Sequence, residues 1–219
     1  MTAKKTFIWI LLILIIISLP ACRTTTPKAI PPANEQKNTP PAPVATVSAG
    51  DYFPSTPGSS WIYKGEGNEF ASFTRTAQYT LNGQSQFKEA NGGTESTSIY
   101  KLSGDSVTRV YFKGESYQAE NLLQKGYTSN DNTVLLKTPL DKGSSWETGN
   151  DVRTIIDTAA RVEAPAGIFD NCIKMEIRSK NSTSVVYEYY RKGTGLVKRE
   201  FHDGASTISS TLEKYQAGQ

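Results

Sequence analysis

Histidine occurs once in this chain of 219 residues, as His202, and cysteine twice, as Cys22 and Cys172. Each scarcity removes a class of chemistry. A single histidine leaves acid–base catalysis with almost nothing that titrates near neutrality. Lying beside Asp203 at a predicted strand end, His202 reads as a solvated or capping residue. One histidine and one or two thiols cannot assemble a transition-metal centre of the common types. Serine is plentiful, but no Gly-x-Ser-x-Gly nucleophile elbow exists, and the glycine–serine clusters are Gly58-Ser59-Ser60-Trp61 and Gly114-Glu115-Ser116-Tyr117. Glycine motifs that cradle phosphate are missing. Ser129 to Thr133 offers oxygen ligands without the spacing of a calcium loop, and reads as an ordinary loop. The expectation is a protein that is not an enzyme, with no catalytic residue, metal ligand or cofactor. Its ligand-binding residues are not marked by any motif.

An excess of charge is also lacking. Without Lys4 and Lys5, which belong to the N-terminal leader described next, 22 basic residues stand against 21 acidic ones, a formal charge of +1. Such a balance makes no field to gather nucleic acid, which is not expected as a partner.

What is present begins with the N-terminus. Lys4 and Lys5 precede Phe7 to Ile17, eleven apolar residues without a break. A spanning helix needs about 20, so the run is too short to cross a membrane and has the form of a secretory signal. It ends in Ser18-Leu19-Pro20-Ala21-Cys22. This end is similar to the lipobox of bacterial lipoproteins. The resemblance implies cleavage between Ala21 and Cys22 and a diacylglyceryl thioether on Cys22. Two acyl chains anchor firmly where one is marginal. The plainer alternative is an ordinary signal peptide with Cys22 incidental. With Cys22 lipidated, Cys172 has no partner within the chain, and a disulfide framework is excluded. The expected location is the outer face of the plasma membrane, or the outer membrane of an organism that has one.

Residues 1–21 are therefore read as the lipoprotein signal peptide and 22–50 as the lipidated cysteine with a tether. Six of the eleven prolines lie in that tether, which holds no aromatic residue. Such a stretch cannot bury enough apolar surface to offset the entropy of ordering it, and favours extended polyproline geometry. Residues 51–217 are read as one β domain.

In that domain short apolar–polar alternations recur between turn signals, and no segment keeps a helical period. Asn82-Gly83 marks a tight hairpin, because both residues accept positive φ. Ile173, Met175 and Ile177 alternate with Lys174, Glu176 and Arg178, a half-buried strand; Val186, Glu188 and Tyr190 share one face and Val185, Tyr187 and Tyr189 the other. One helical turn is admissible, between Ala119 and Lys125. The pattern predicts a mainly β domain, a strongly curved antiparallel meander forming a barrel or half-barrel, with a two-sheet sandwich as the alternative. Gly-Ser-Ser-Trp occurs at Trp61 and again at Trp146. This is either a duplicated half-domain or one good strand-opening solution used twice.

Three stretches, at 51–67, 164–177 and 189–200, together resemble uncharacterised bacterial cell-envelope lipoproteins with a TapB-like periplasmic or extracellular β domain. They carry a Trp-x-Tyr start at Trp61 and Tyr63, Pro165-Ala166-Gly167-Ile168-Phe169-Asp170, and Gly193-Thr194-Gly195-Leu196-Val197. The resemblance implies the fold, and no catalytic or binding residue follows from it.

All eleven tyrosines fall between Tyr52 and Tyr215. Tyrosine joins an apolar body to a hydroxyl and suits recognition of lipids, glycans or protein surfaces; strand tyrosines also stabilise cross-strand pairs. Two functions remain. One is a non-catalytic binding or carrier domain for an apolar or amphipathic ligand at the envelope. The other is a structural lipoprotein docking onto another envelope protein or a wall component. The membrane, through the lipid anchor, is the first partner; a lipid, a glycan or an envelope protein is the second. An open concave face lined with apolar side chains would favour the ligand, a plugged one the docking partner.

Overall fold

A computed structural model describes residues 47–117 and 120–219. The expected signal peptide, the Ala21–Cys22 cleavage site, the lipidated Cys22 and the tether as far as residue 46 lie outside the described residues.

The described residues form twelve strands: β1 (Ser60–Glu66), β2 (Phe73–Leu81), β3 (Gln84–Asn91), β4 (Thr94–Leu102), β5 (Ser106–Lys113), β6 (Thr133–Lys137), β7 (Ser145–Thr148), β8 (Asp151–Ala164), β9 (Gly167–Ser179), β10 (Val185–Arg191), β11 (Gly195–Asp203) and β12 (Ser206–Gln216). Every neighbouring pair is antiparallel, and they make one sheet in the order β6-β5-β4-β3-β2-β1-β12-β11-β10-β9-β8-β7. Chain order and spatial order coincide around the sheet: most strands turn directly into the next, and the long exception is the 114–132 segment between β5 and β6. Asn82 and Gly83 adopt φ of 51° and 73°, the left-handed pair that the β2–β3 turn requires. The meander curls until it nearly closes into a barrel, and the alternative of two stacked sheets is not what forms.

The sheet's two ends, β6 and β7, meet without a backbone ladder, and side chains bridge them. The Val134 amide donates to Thr148 Oγ1 (2.8 Å), that hydroxyl donates to the Asn132 carbonyl (3.3 Å), and Trp146 Nε1 donates to the Val134 carbonyl (3.0 Å). An exposed strand edge would invite foreign strands, and here each edge is covered by the other.

The domain starts earlier than residue 51. Ser48 Oγ caps a short 3₁₀ turn at Ala49–Tyr52, accepting from the Gly50 amide at 3.2 Å. Ala49 is wholly buried, and its amide donates to the Gly104 carbonyl (3.1 Å). At the far end the Gly218 amide donates to Ser59 Oγ (2.8 Å), one residue beyond the expected boundary. The one helical turn, α1 (Leu122–Lys125), lies over the outer face of β3. There the buried Gln86 donates from Nε2 to the Glu120 carbonyl (2.8 Å) and accepts at Oε1 from the Leu122 amide (2.9 Å).

Candidate binding site

The inner wall of the barrel has three tiers. The first is a closed floor. Phe53, carried in by the N-terminal 3₁₀ turn, packs on Tyr100 and Phe87 with ring centroids 4.7 and 5.3 Å away. Trp61 and Tyr63 complete it, with their polar atoms satisfied: Trp61 Nε1 donates to the Thr194 carbonyl (2.7 Å) and the Tyr63 hydroxyl to the Leu196 carbonyl (2.8 Å). The void left among Phe53, Trp61, Phe87 and Arg75 has about 10 Å³ of water-accessible volume, room for about one water.

Above the floor runs a belt of charge. On β10 and β11 the directly opposed Glu188 and Arg199 pair, with Arg199 Nε 3.0 Å and Nη2 2.9 Å from Glu188 Oε1. Glu188 Oε2 accepts from Arg153 Nη1 (3.1 Å) and from the Tyr190 hydroxyl (2.8 Å). Across the barrel Arg75 and Glu89, directly opposed on β2 and β3, pair at 2.8 Å. Arg153 also reaches from β8 past β7 to the Leu135 carbonyl (3.4 Å), tying the belt to the seam. Burial pushes the Glu188 carboxyl up, but the charges of Arg199 and Arg153 and the Tyr190 hydroxyl outweigh it and hold it down to about 2. The same burial, with Glu188 beside it, raises the Tyr190 hydroxyl above its ordinary value.

The third tier is a mouth. Strand side chains alternate between faces, so the neighbours of Glu188 and Arg199 two residues along, Val186 and Phe201, also point inward. Val186 opposes Phe201, and Phe201 opposes Ile208. All three are half-buried, unlike the floor. On the opposite wall Phe112, opposed to the inward Ser98, is 42% exposed. The interior is thus plugged by the floor at one end, while at the other this apolar row stays part-exposed beside the 3₁₀ turn Glu69–Ala71, whose Ala71 carbonyl accepts from the inward Ser210 hydroxyl (2.7 Å).

The residues singled out from the sequence lie elsewhere. His202 stands near the end of β11 with its ring edge-on to Tyr187 (5.4 Å) and Nδ1 3.2 Å from Thr207 Oγ1. Cys172 is wholly buried within β9, its Sγ 3.5 Å from the Phe169 carbonyl, and burial pushes the thiol up to about 11. The oxygens of Ser129–Thr133 are taken up within the fold: Asp131 is bound by Arg109 and by the Thr133 amide and hydroxyl, and Asn130 brackets both backbone groups of Phe112. That segment is a loop clamp. Tyr63, Tyr100, Tyr189 and Tyr190 are buried, so the tyrosines serve the core and the cross-strand pairs more than a recognition surface. The belt was missed. Its signal was present as a charge in the apolar phase of a strand: Arg75 between Phe73 and Ala77, Arg153 beside Ile155, Glu188 between Val186 and Tyr190. A second concavity of about 340 Å³, open to solvent, lies by Ile62, Thr74 and Ala90.

No family model and no curated protein matches the chain. Among solved structures it is similar to a proposed lipoprotein of Parabacteroides distasonis, at 18% identity and a TM-score of 0.42. It is also similar to a proposed exported protein with a YmcC-like fold from Bacteroides fragilis, at 15% identity and a TM-score of 0.47. Each alignment covers 75% of this chain and 98% of the other. The TapB-like resemblance of the three sequence motifs has no counterpart in these comparisons.

Proposed function

We propose that this chain is an exported, lipid-anchored protein whose β domain binds an apolar or amphipathic ligand without acting on it chemically. The observation that carries the reading is the mouth: Val186, Phe201 and Ile208 form a contiguous apolar row inside a concave wall, above a packed floor, and remain half-exposed. Apolar surface held open to water in a concavity is what a ligand of that class covers. The charged side chains of the belt are paired with one another, which supports binding over catalysis. The anchor and tether, read from Leu19 to Cys22 and from the prolines that follow, hold such a mouth near the membrane. There the tether's effective concentration makes a weak intrinsic affinity sufficient.

Native mass spectrometry of the protein purified from membranes tests the reading. A bound apolar or amphipathic species is expected, lost in the variant Phe201→Asp, which places a charge in the row. Ligand-free protein, together with no uptake of a neutral dye such as Nile red by the emptied mouth, would favour docking through the outer surface instead.

A further inference from the structure

We infer that the ligand's head group is anionic and enters first, coming to rest against Arg199, with its chain running out along Val186, Phe201 and Ile208. This deepens the proposed function and rests on its reading of the mouth.

Three observations carry the inference. Within the belt the three guanidiniums of Arg75, Arg153 and Arg199 face the two carboxylates of Glu89 and Glu188, so among these five groups positive charge exceeds negative by one. A charge taken out of water without a partner is costly, and an incoming anion relieves it. Second, the side chain of Arg153 is only 9% exposed, and its Nε has no hydrogen-bond partner among the described residues. The belt is therefore short of acceptors, and an anionic head brings acceptors. Third, Arg199 is the member of the belt's arginines that meets the mouth: 35% of its side chain is exposed, against 9% and 10% for Arg153 and Arg75. Its bonds to Glu188 engage Nε and Nη2, and guanidinium N–H groups suit carboxylate and phosphate oxygens alike.

The order of the tiers sets the orientation. Positive charge lies deep and apolar surface lies at the exit, so a head-first amphiphile satisfies both, and a tail-first one would leave its chain against the belt. The closed aromatic floor stops the head at that depth, since the void beyond it has about 10 Å³.

The test uses the mature chain from residue 22 with Cys22→Ser, its fold checked by thermal unfolding, and Nile red as a neutral reporter. Dodecanoate, dodecanol and dodecyltrimethylammonium then compete for the mouth. Dodecanoate is expected to displace the dye about tenfold better than dodecanol, the size of a charge-assisted hydrogen bond, with the cation weakest. In Arg199→Gln that preference should vanish. Should Arg199→Gln fail to fold, the parent protein serves instead: dodecanoate should shift the NMR resonance of the Arg199 Nε–H and dodecanol should leave it in place, and an equal response to both would overturn the inference. Phosphatidylglycerol vesicles as a fourth competitor distinguish a membrane lipid head from a free fatty acid, and displacement by either supports an anionic head. Equal displacement by dodecanoate and dodecanol, or a preference that survives Arg199→Gln, would overturn the inference and leave the binding role standing. Failure of Nile red and all amphiphiles to bind overturns the binding role itself.

Discussion

At the scale of single residues, Glu188 has the strongest hold on its surroundings. Its carboxylate is 5% exposed and takes hydrogen bonds from Arg153, Tyr190 and Arg199. Removing one partner of a buried ion pair costs about 3–5 kcal/mol, because the others keep their charge without an acceptor. Glu188→Ala is expected to lose that much in urea unfolding. The pH dependence follows from the same contacts. The folded carboxyl is held at about 2, below an unfolded value near 4.3. Its stabilisation is therefore present above that unfolded value and is lost as the pH falls from there through about 2. An amount on the order of 3 kcal/mol is at stake. In Glu188→Gln the stability curve should be flatter through that acid window than in the parent, which a urea series at each pH measures. Cys172 is the converse case. Burial raises its thiol to about 11 and leaves it wholly covered, so the native protein should react with a thiol reagent only as fast as it unfolds. Cys172→Ala should cost about 1 kcal/mol for a small cavity.

At the scale of elements, the vulnerable place is the seam. Eleven of the contacts around the barrel are strand ladders, and the twelfth, between β6 and β7, is made by Trp146, Thr148 and Arg153. Side-chain bonds there do the work of a ladder, and each leaves a part-buried backbone group without its partner when removed. Thr148→Val takes the acceptor from the Val134 amide and the donor from the Asn132 carbonyl. A loss of about 1–3 kcal/mol is expected. Hydrogen exchange should quicken at Val134 while the amides of β9 and β10 keep their protection. Uniform loss of protection across the sheet would show instead that the seam is not a separate weak point.

At the scale of the whole molecule, the sequence reads as an address joined to a domain. The reading of Cys22 as the anchor predicts that Cys22→Ser leaves an uncleaved, unlabelled precursor whose domain still folds. Metabolic labelling with a fatty acid and an electrophoretic size shift check this, and normal maturation of the variant would refute it. The repeated Gly-Ser-Ser-Trp also acquires a meaning at this scale. Trp61 opens β1 and Trp146 opens β7, so each motif starts one six-strand run, and both indole nitrogens donate to a carbonyl. The runs do not end in equivalent places. β1 joins β12 by a ladder, whereas β7 meets β6 through side chains. The shared motif marks a shared local solution, an inward anchor after a glycine turn, more than a repeated half.

Much of this was legible before any coordinates. Local alternation sets which residues of a strand can share a face, and tight turns make successive strands neighbours, so an antiparallel meander follows from spacing, with a curled barrel and a two-sheet sandwich both compatible with it. The Asn82–Gly83 hairpin and the inward set Ile173, Met175 and Ile177 are local in the same sense. The charge balance and the scarcity of histidine likewise needed no structure. Which of two faces turns inward is another matter, because it depends on how the sheet curls. Glu188 shares a face with Val186 and Tyr190 in sequence, but only closure brings Arg153 and Arg199 around it from β8 and β11 and makes a buried carboxylate tolerable. A related case is Ala49, read with the tether from composition: it is wholly buried and its amide donates to distant Gly104, a contact that no composition signals. Alternation is a property of neighbours along the chain. The belt, the seam and the open mouth are properties of strands that meet only once the sheet has curled, and tertiary structure alone decided them.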